Sequence, residues 1–573
     1  MEFKDSFKDS GKEFDKVRTP LETIQWVESR FSESGISILQ ECVRVDKDRL
    51  GIPVYVSRYS PEASRLTGTQ KQMGKGVTPE QARCSAVMEL VERYSLFHFL
   101  KEREFQVRPY GLQEPPKVPL EHLFKALHRH EPSREESSLL NEFPHRWAGG
   151  IELPGEGDVH VPFSWFWPIN EYNGSASGNS LEEAAVQALS EVVERHCCSV
   201  ISYRRIKTPT IELSSVKDPV LKGLIDRFEA LGIRLVLKDY SLDMGIPTVA
   251  AIAWDPSTFP ERSEIVYTAG TSTSPERAAV RAVTEIAQLA GDFDTDGRYL
   301  ESGLPKFATL EEAEYVLDSS QTVALSQLPD CSSDNFRIEA QEMARRLKAA
   351  GMPVYLLDIT HPVLKVPAVY AIAAGNHFRD RTLDMDPATH MARLAVWGYM
   401  PREQSEAVLK SLRSFYPDRW EITFYLGLQD EQLGLWQEAV SHMDEALTSV
   451  PDGPDRADIL CHRAFCLKEL GRISEAASDL EEACRINPYH KDALSLLGFC
   501  HYSQGRYYEA IECFERVIEL DPGSAVDYAN IGSNLRKLGM NEAARRWYQM
   551  ALELDPEIHW ARQHLEELEA GGS

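Results

Sequence analysis

No stretch of this chain approaches the ~18 consecutive apolar residues that a membrane span requires, so no transmembrane helix is expected. The opening MEFKDSFKDSGKEFDK is charged where a secretory signal needs an apolar centre, which predicts a cytoplasmic protein. None of the ten cysteines belongs to a CxxC pair, which excludes zinc-ribbon and thioredoxin-like frameworks. They read as small buried or half-buried residues, the vicinal Cys197 and Cys198 among them. Basic side chains are in short supply, 62 against 89 acidic ones, for a formal charge of −27. Such a chain has no global attraction for phosphate backbones, so no direct nucleic-acid binding is expected. A GxxxxGK[ST] loop is also missing, so any bound nucleotide must be held by another design.

What remains is a soluble composition, 43% hydrophobic and 26% charged over 573 residues, enough for several domains. The C-terminal part repeats itself. Gly471, Gly505 and Gly539 are 34 residues apart, as are Ala476, Ala510 and Ala544, and Pro488, Pro522 and Pro556. An earlier copy carries Gly434, Ala439 and Pro451, and a second small-residue column runs Gly427, Ala464, Gly498, Gly532. Two helices per repeat account for this: small residues where helices cross, and a proline that stops the second. The pattern resembles about four tetratricopeptide repeats over 420–573, serving to bind a peptide or to act as a packing or dimerisation platform.

The front part also repeats, less openly. TPLETIQWVESRFSESG, DPVLKGLIDRFEALG and RIEAQEMARRLKAAG each read as a helix closed by glycine. Each leads into a β-branched run, with a return at Gly51–Val56, Gly245–Val249 and Lys365–Tyr370. An α+β domain built from pseudo-repeats of hairpins and helices is expected over 15–395. A flexible N-terminus over 1–14 precedes it, and a helical linker over 396–419 follows.

Three further helices resemble one another more closely. The first carries Glu89, Glu92 and Arg93, the second Glu191, Glu194 and Arg195, and the third Glu285 and Gln288. Positions i and i+3 share one helix face. Here they interrupt otherwise apolar helices, and buried carboxylates are costly unless paired or coordinating a cation. Arg93 and Arg195 are candidate ion-pair partners. Oxygen-only ligands suit Mg²⁺, which keeps waters and bridges to phosphates. The lack of ExxH disfavours a di-iron arrangement. Gly74-Lys75-Gly76, with Thr78 or Pro79 at the helix start, leads into the first helix. Asn173–Ser180 and Gly270–Ser274 lead into the other two, each a possible set of N–H groups for an anion.

GKGVTPEQARCSAVMELVERYS, SASGNSLEEAAVQALSEVVERH and TSTSPERAAVRAVTEIAQ, in that order, resemble the signature stretches of the YcaO family. The resemblance implies an enzyme that binds ATP and Mg²⁺ and phosphorylates a backbone amide oxygen of a peptide or protein. Carried over, Glu89, Glu92, Glu191, Glu194 and Glu285 fall on metal positions. Ser85, Asn179, Glu183, Arg195, Arg281 and Gln288 fall on nucleotide positions, and Lys16 and Thr23 resemble a further Lys/Ser pair on the nucleotide. The family resemblance further implies a homodimer, and a partner that delivers sulfur or carries out methylthiotransfer. Azoline-forming members commonly end in a proline-rich tail, whereas this sequence ends LEELEAGGS, and Ala373-Ala374-Gly375 stands where a Pro-Gly is common. The tetratricopeptide repeats and the missing proline tail put an accessory role in ribosomal-protein methylthiolation or thioamide formation ahead of azoline formation as the expectation. A scaffold acting through its repeats is the non-catalytic alternative. No general base is nominated, and His196, beside the second pair, reads as a packed helix residue.

Overall fold

The computed structural model describes residues 1–9, 15–129, 132–293, 304–378, 385–397, 400, 402–521 and 523–570. They form two compact units, Met1–Pro387 and Ala388–Ser573.

In the first unit all three glycine-closed helices appear, at Pro20–Ser34, Pro219–Ala230 and Phe336–Ala349. Each runs into an antiparallel hairpin: Leu39–Arg44 with Val54–Tyr59, Arg234–Asp239 with Thr248–Trp254, and Val354–Asp358 with Ala368–Ala373. The hairpins lie in three separate sheets of three, five and six strands. A third antiparallel strand extends each hairpin and leads directly into an acidic helix. Lys71–Lys75 precedes the first acidic helix, Pro79–Lys101, and Val266–Thr271 precedes the third, Pro275–Ala290. In the remaining repeat that strand is Ser175–Ser177, which pairs with Ala368–Tyr370 and precedes the second acidic helix, Leu181–Arg204. The third repeat is thus permuted, its last strand and helix preceding its hairpin in the chain.

Burial explains why these strands read as continuous apolar runs. In Thr248–Trp254 one face, Val249, Ala251 and Ala253, packs on Ala278, Ala282 and Ile286 of the third acidic helix. The opposite face, Ala250 and Ile252, joins Cys198 and Ile201 of the second. A sheet buried on both sides loses the polar half of the period-2 alternation.

The third strands need glycine where the helix passes. A Cβ on Gly270 would lie 2.5 Å from the Ala278 carbonyl and the Ala282 nitrogen, and one on Gly74 would lie 2.1 Å from the Ala86 nitrogen. Gly270→Ala is therefore expected to cost ~1–3 kcal/mol, as overpacking does. Calorimetric unfolding checks this, with Gly149→Ala as control, since a Cβ there meets nothing within 4 Å.

Residues 1–9 are not the free tail expected for 1–14, and residues 10–14 lie outside the described residues. Phe3 is buried, Phe7 bridges to Asn335, and Lys8 pairs with Glu339 at 2.5 Å and Asp15 at 2.6 Å. Burial of an aromatic ring and a shielded ion pair hold this segment against the domain. All ten cysteines are free and buried or half-buried. No helix among the described residues is long and apolar enough to cross a membrane.

The second unit contains four helix pairs between Trp420 and Leu554, then a final helix His559–Ala570. The segment expected as a linker holds helix Arg402–Phe415, whose Leu409 and Leu412 are buried. Gly434, Gly471, Gly505 and Gly539 end the first helix of each pair at φ of +70 to +77°, a conformation cheap only for glycine. Gly498 and Gly532 sit where a Cβ would press on the rings of Phe514 and Tyr548. Pro488 and Pro556 follow the second helices of their pairs; Pro522 lies outside the described residues.

Candidate active site

The acidic helices begin with the caps their entries suggest. Thr78, Ser180 and Ser274 accept from the backbone N–H groups of Gln81, Glu183 and Arg277, with proline at the first helical position of the first and third. Each helix spends most of its surface on the core. Ala86, Val87, Leu90 and Val91 are buried in the first, and Ala188, Leu189, Val192 and Val193 in the second. What is left is a narrow stripe carrying the carboxylates, and the three stripes face one cavity of about 490 Å³.

All thirteen residues singled out from the sequence line it. The first helix supplies Ser85, Glu89 and Glu92; the second and its entry supply Asn179, Glu183, Glu191, Glu194 and Arg195; the third supplies Arg281, Glu285 and Gln288. Lys16 and Thr23 complete one wall. There the Thr23 hydroxyl donates to Asn179 at 3.0 Å, the Asn179 amide donates to Glu183 at 3.2 Å, and Lys16 lies 3.5 Å from Glu183. The Val17 N–H also donates to Glu183 at 3.0 Å, so this wall is preassembled.

Four other carboxylates of the cavity have different neighbours. Glu92 accepts from the Ser175 hydroxyl at 2.6 Å, Glu191 from the Gly174 N–H at 3.0 Å, and Glu194 from the Thr271 N–H at 3.0 Å. Glu285 pairs with Lys75 at 2.5 Å. Arg93 stands 3.6 Å from Glu92 and Arg195 3.8 Å from Glu191, so both arginines are partners of the acids as well as cavity residues. Burial pushes Glu92 up to about 8 against the pull of Arg93, with Glu191 and Glu89 adding to the rise. Burial raises Glu89 too, and Glu194 rises by burial and by the charge of Glu285. Burial also acts upward on Glu285, but Lys75, Arg195 and Arg281 outweigh it and hold its carboxyl low.

This donor set fits Mg²⁺. Among the described residues no three His, Cys, Asp or Glu side chains form a ready metal cage, and Mg²⁺ is ordinarily bound through one or two carboxylates with waters and phosphates completing its shell. Six acidic and six basic side chains line the cavity, which suits a polyanion arriving with its cations better than either alone. A proton-linked prediction follows. A carboxyl with a native pKa near 8 and an unfolded value near 4.5 stabilises the protein below pH ~4.5 and loses that contribution as pH rises through 8. The metal-free protein should therefore lose stability over this window, and Mg²⁺–nucleotide binding at pH 7 should release protons. Calorimetry in buffers of differing ionisation enthalpy measures that release.

Sequence reasoning passed over Arg18, Gln187 and the roles of Lys75 and Ser175. Arg18 lies over the Trp26 ring at 4.3 Å and donates to Asn179 at 3.3 Å, and Arg281 donates to Gln187 at 2.5 Å. His196 is not among the cavity residues; its Nδ1 accepts from the His377 N–H at 3.0 Å. Burial lowers it to about 3, as expected of a packed helix residue.

Comparison with known proteins identifies the family of the first unit. Residues 73–377 match the family described as YcaO cyclodehydratase, ATP- and Mg²⁺-binding. Residues 457–490, 492–524 and 528–558 match tetratricopeptide repeats. An uncharacterized protein of Methanothermobacter thermautotrophicus is 29% identical over 379 residues, 62% of this chain and 93% of its own length. The ribosomal protein S12 methylthiotransferase accessory factor YcaO of Escherichia coli K12 is 27% identical over 248 residues, 39% of this chain and 41% of its own. Among solved structures, a heterocyclase in complex with substrate and cofactor superposes with a TM-score of 0.52 at 20% identity. That match covers 66% of this chain and 55% of the heterocyclase.

Proposed function

Because the chain belongs to the YcaO family, with its ATP- and Mg²⁺-dependent enzyme domain, we propose that it activates a backbone amide of a peptide or protein by O-phosphorylation. The observation that carries this reading is the meeting of five carboxylates from three separate helices in one cavity with Arg195 and Arg281. Glu89, Glu92, Glu191, Glu194 and Glu285 would hold the metal. Lys16, Thr23, Ser85, Asn179, Glu183, Arg195, Arg281 and Gln288 would hold the nucleotide.

Mg²⁺ held by these carboxylates would supply charge neutralisation at the triphosphate. The chain's own residues do the rest by position and charge. Arg195 and Arg281 oppose the charge that builds on the phosphate oxygens. The Lys16–Thr23–Asn179–Glu183 wall would help to hold the nucleotide. In the step itself the amide oxygen bonds to the γ-phosphorus, the bond to the bridging oxygen breaks, and ADP leaves. A nucleophile then takes the carbon and expels phosphate.

Within this chemistry we favour an accessory role in ribosomal-protein methylthiolation or a thioamide-type modification over azoline formation. The relative named as a methylthiotransferase accessory factor supports it, as do the repeats, which offer a surface for the substrate protein, for a sulfur-delivery or methylthiotransferase partner, or for the second subunit of a homodimer. Purified protein incubated with ATP, Mg²⁺, sulfide as sulfur source and candidate peptides should release phosphate and shift the peptide mass. A gain of sulfur supports this choice, a loss of water favours azoline formation, and phosphate release without Mg²⁺ contradicts the mechanism.

A further inference from the structure

Lys75, like Arg18 and Arg93, lines the cavity and has no part in the reading above. Lys75 closes strand Lys71–Lys75, and its Nζ crosses to Glu285 of the third acidic helix, 2.5 Å away and 210 residues on in sequence. Both side chains are largely shielded, 24% and 20% exposed. The backbone on either side of Lys75 is pinned. A Cβ on Gly74 would come within 2.1 Å of the Ala86 nitrogen, and one on Gly76 within 2.7 Å of the Ala82 nitrogen. The lysine therefore reaches the cavity from a fixed base on a long, rotatable stem.

Its target is distinctive. Glu191 and Glu194 accept from backbone N–H groups and Glu92 from the Ser175 hydroxyl, with their nearest arginines farther off at 3.8 Å for Glu191 and 3.6 Å for Glu92. Glu285 is covered by a lysine ammonium in direct contact at 2.5 Å. A metal ion taking that carboxylate must displace the ammonium, and the released charge then faces the triphosphate the ion brings with it. We propose that Lys75 is an exchangeable counter-ion, holding Glu285 while the cavity lacks metal and passing to the phosphate oxygens when metal and nucleotide enter. This rests on the metal and nucleotide reading above and adds to it a residue that contacts substrate.

The test uses the full chain and two ligands, Mn²⁺ alone followed by its paramagnetic signal, and Mg²⁺ with a non-hydrolysable ATP analogue followed by calorimetry. Lys75→Met should bind Mn²⁺ alone about tenfold more tightly and the Mg²⁺–analogue complex about tenfold more weakly, each the size of one charge-assisted contact. Lys75→Arg should stay near wild type on both. Unchanged or weaker Mn²⁺ binding by Lys75→Met, or undiminished binding of the analogue, overturns the exchange. Wild-type protein that binds neither ligand overturns the functional reading instead. Should Lys75→Met fail to fold, the wild-type structure with Mn²⁺ and analogue decides. Lys75 Nζ at hydrogen-bond distance from phosphate supports the exchange, and Nζ still on Glu285 refutes it.

Discussion

Glu191→Gln is expected to lower ATP turnover at least a hundredfold, and about a thousandfold if the lost charge is felt mainly in the transition state. Glu191 is on the middle one of the three acidic helices, fixed by the Gly174 N–H at 3.0 Å, with Arg195 at 3.8 Å. Glutamine keeps the length and can still accept from Gly174, so the variant removes a charge and little else. The charge removed faces Glu89 and Glu92, both of which it pushes upward. Metal-free stability should consequently hold steady or rise, separating this loss from misfolding. Phosphate release measured beside thermal unfolding makes the comparison. Partner capture through the repeats should survive, and a protein working only as a scaffold would show no functional loss.

The second large effect is expected of Arg195→Met. Arg195 draws down Glu194 and Glu285 and stands beside Glu191. Removing one partner from a buried ionic cluster costs ~3–5 kcal/mol. Here the side chain keeps 31% of its exposure, so roughly 2 kcal/mol is the better expectation once solvent screening is counted. The sign with pH is fixed by the acids left behind. They can take up protons at low pH but not at high pH, so the damage should be greater at pH 8 than at pH 6. Unfolding at both values, together with at least a hundredfold weaker binding of the Mg²⁺–nucleotide complex, checks the prediction.

The site was legible in sequence because its chemistry contradicts its surroundings. Carboxylates at i and i+3 beside alanine, valine and leucine in two helices, echoed by Glu285 and Gln288 in a third, have no cheap explanation and point to one place. The hairpins were legible for a similar reason, glycine closing a helix just ahead of a β-branched run. What stayed hidden depends on long-range pairing. Ser175–Ser177 is three residues long and has strand character only because Ala368–Tyr370 lies beside it, so the permuted third repeat leaves no local signal. Lys75 stands in a glycine-rich entry that reads as a turn, and its partner is on another helix. The first nine residues read as a polar tail because Phe3, Phe7 and Lys8 are scattered among charges; the partners of Lys4, Phe7 and Lys8, which are Glu182, Asn335 and Glu339, are far away in sequence.

The account stands on metal and triphosphate sharing the cavity between the three acidic helices. Anomalous scattering from Mn²⁺ in crystals grown with a non-hydrolysable ATP analogue measures this directly. Manganese peaks bonded to carboxylates from at least two of those helices, with the triphosphate between them and Arg195 and Arg281, are the predicted result. Nucleotide bound elsewhere on the chain, or manganese found only outside the cavity, would contradict it.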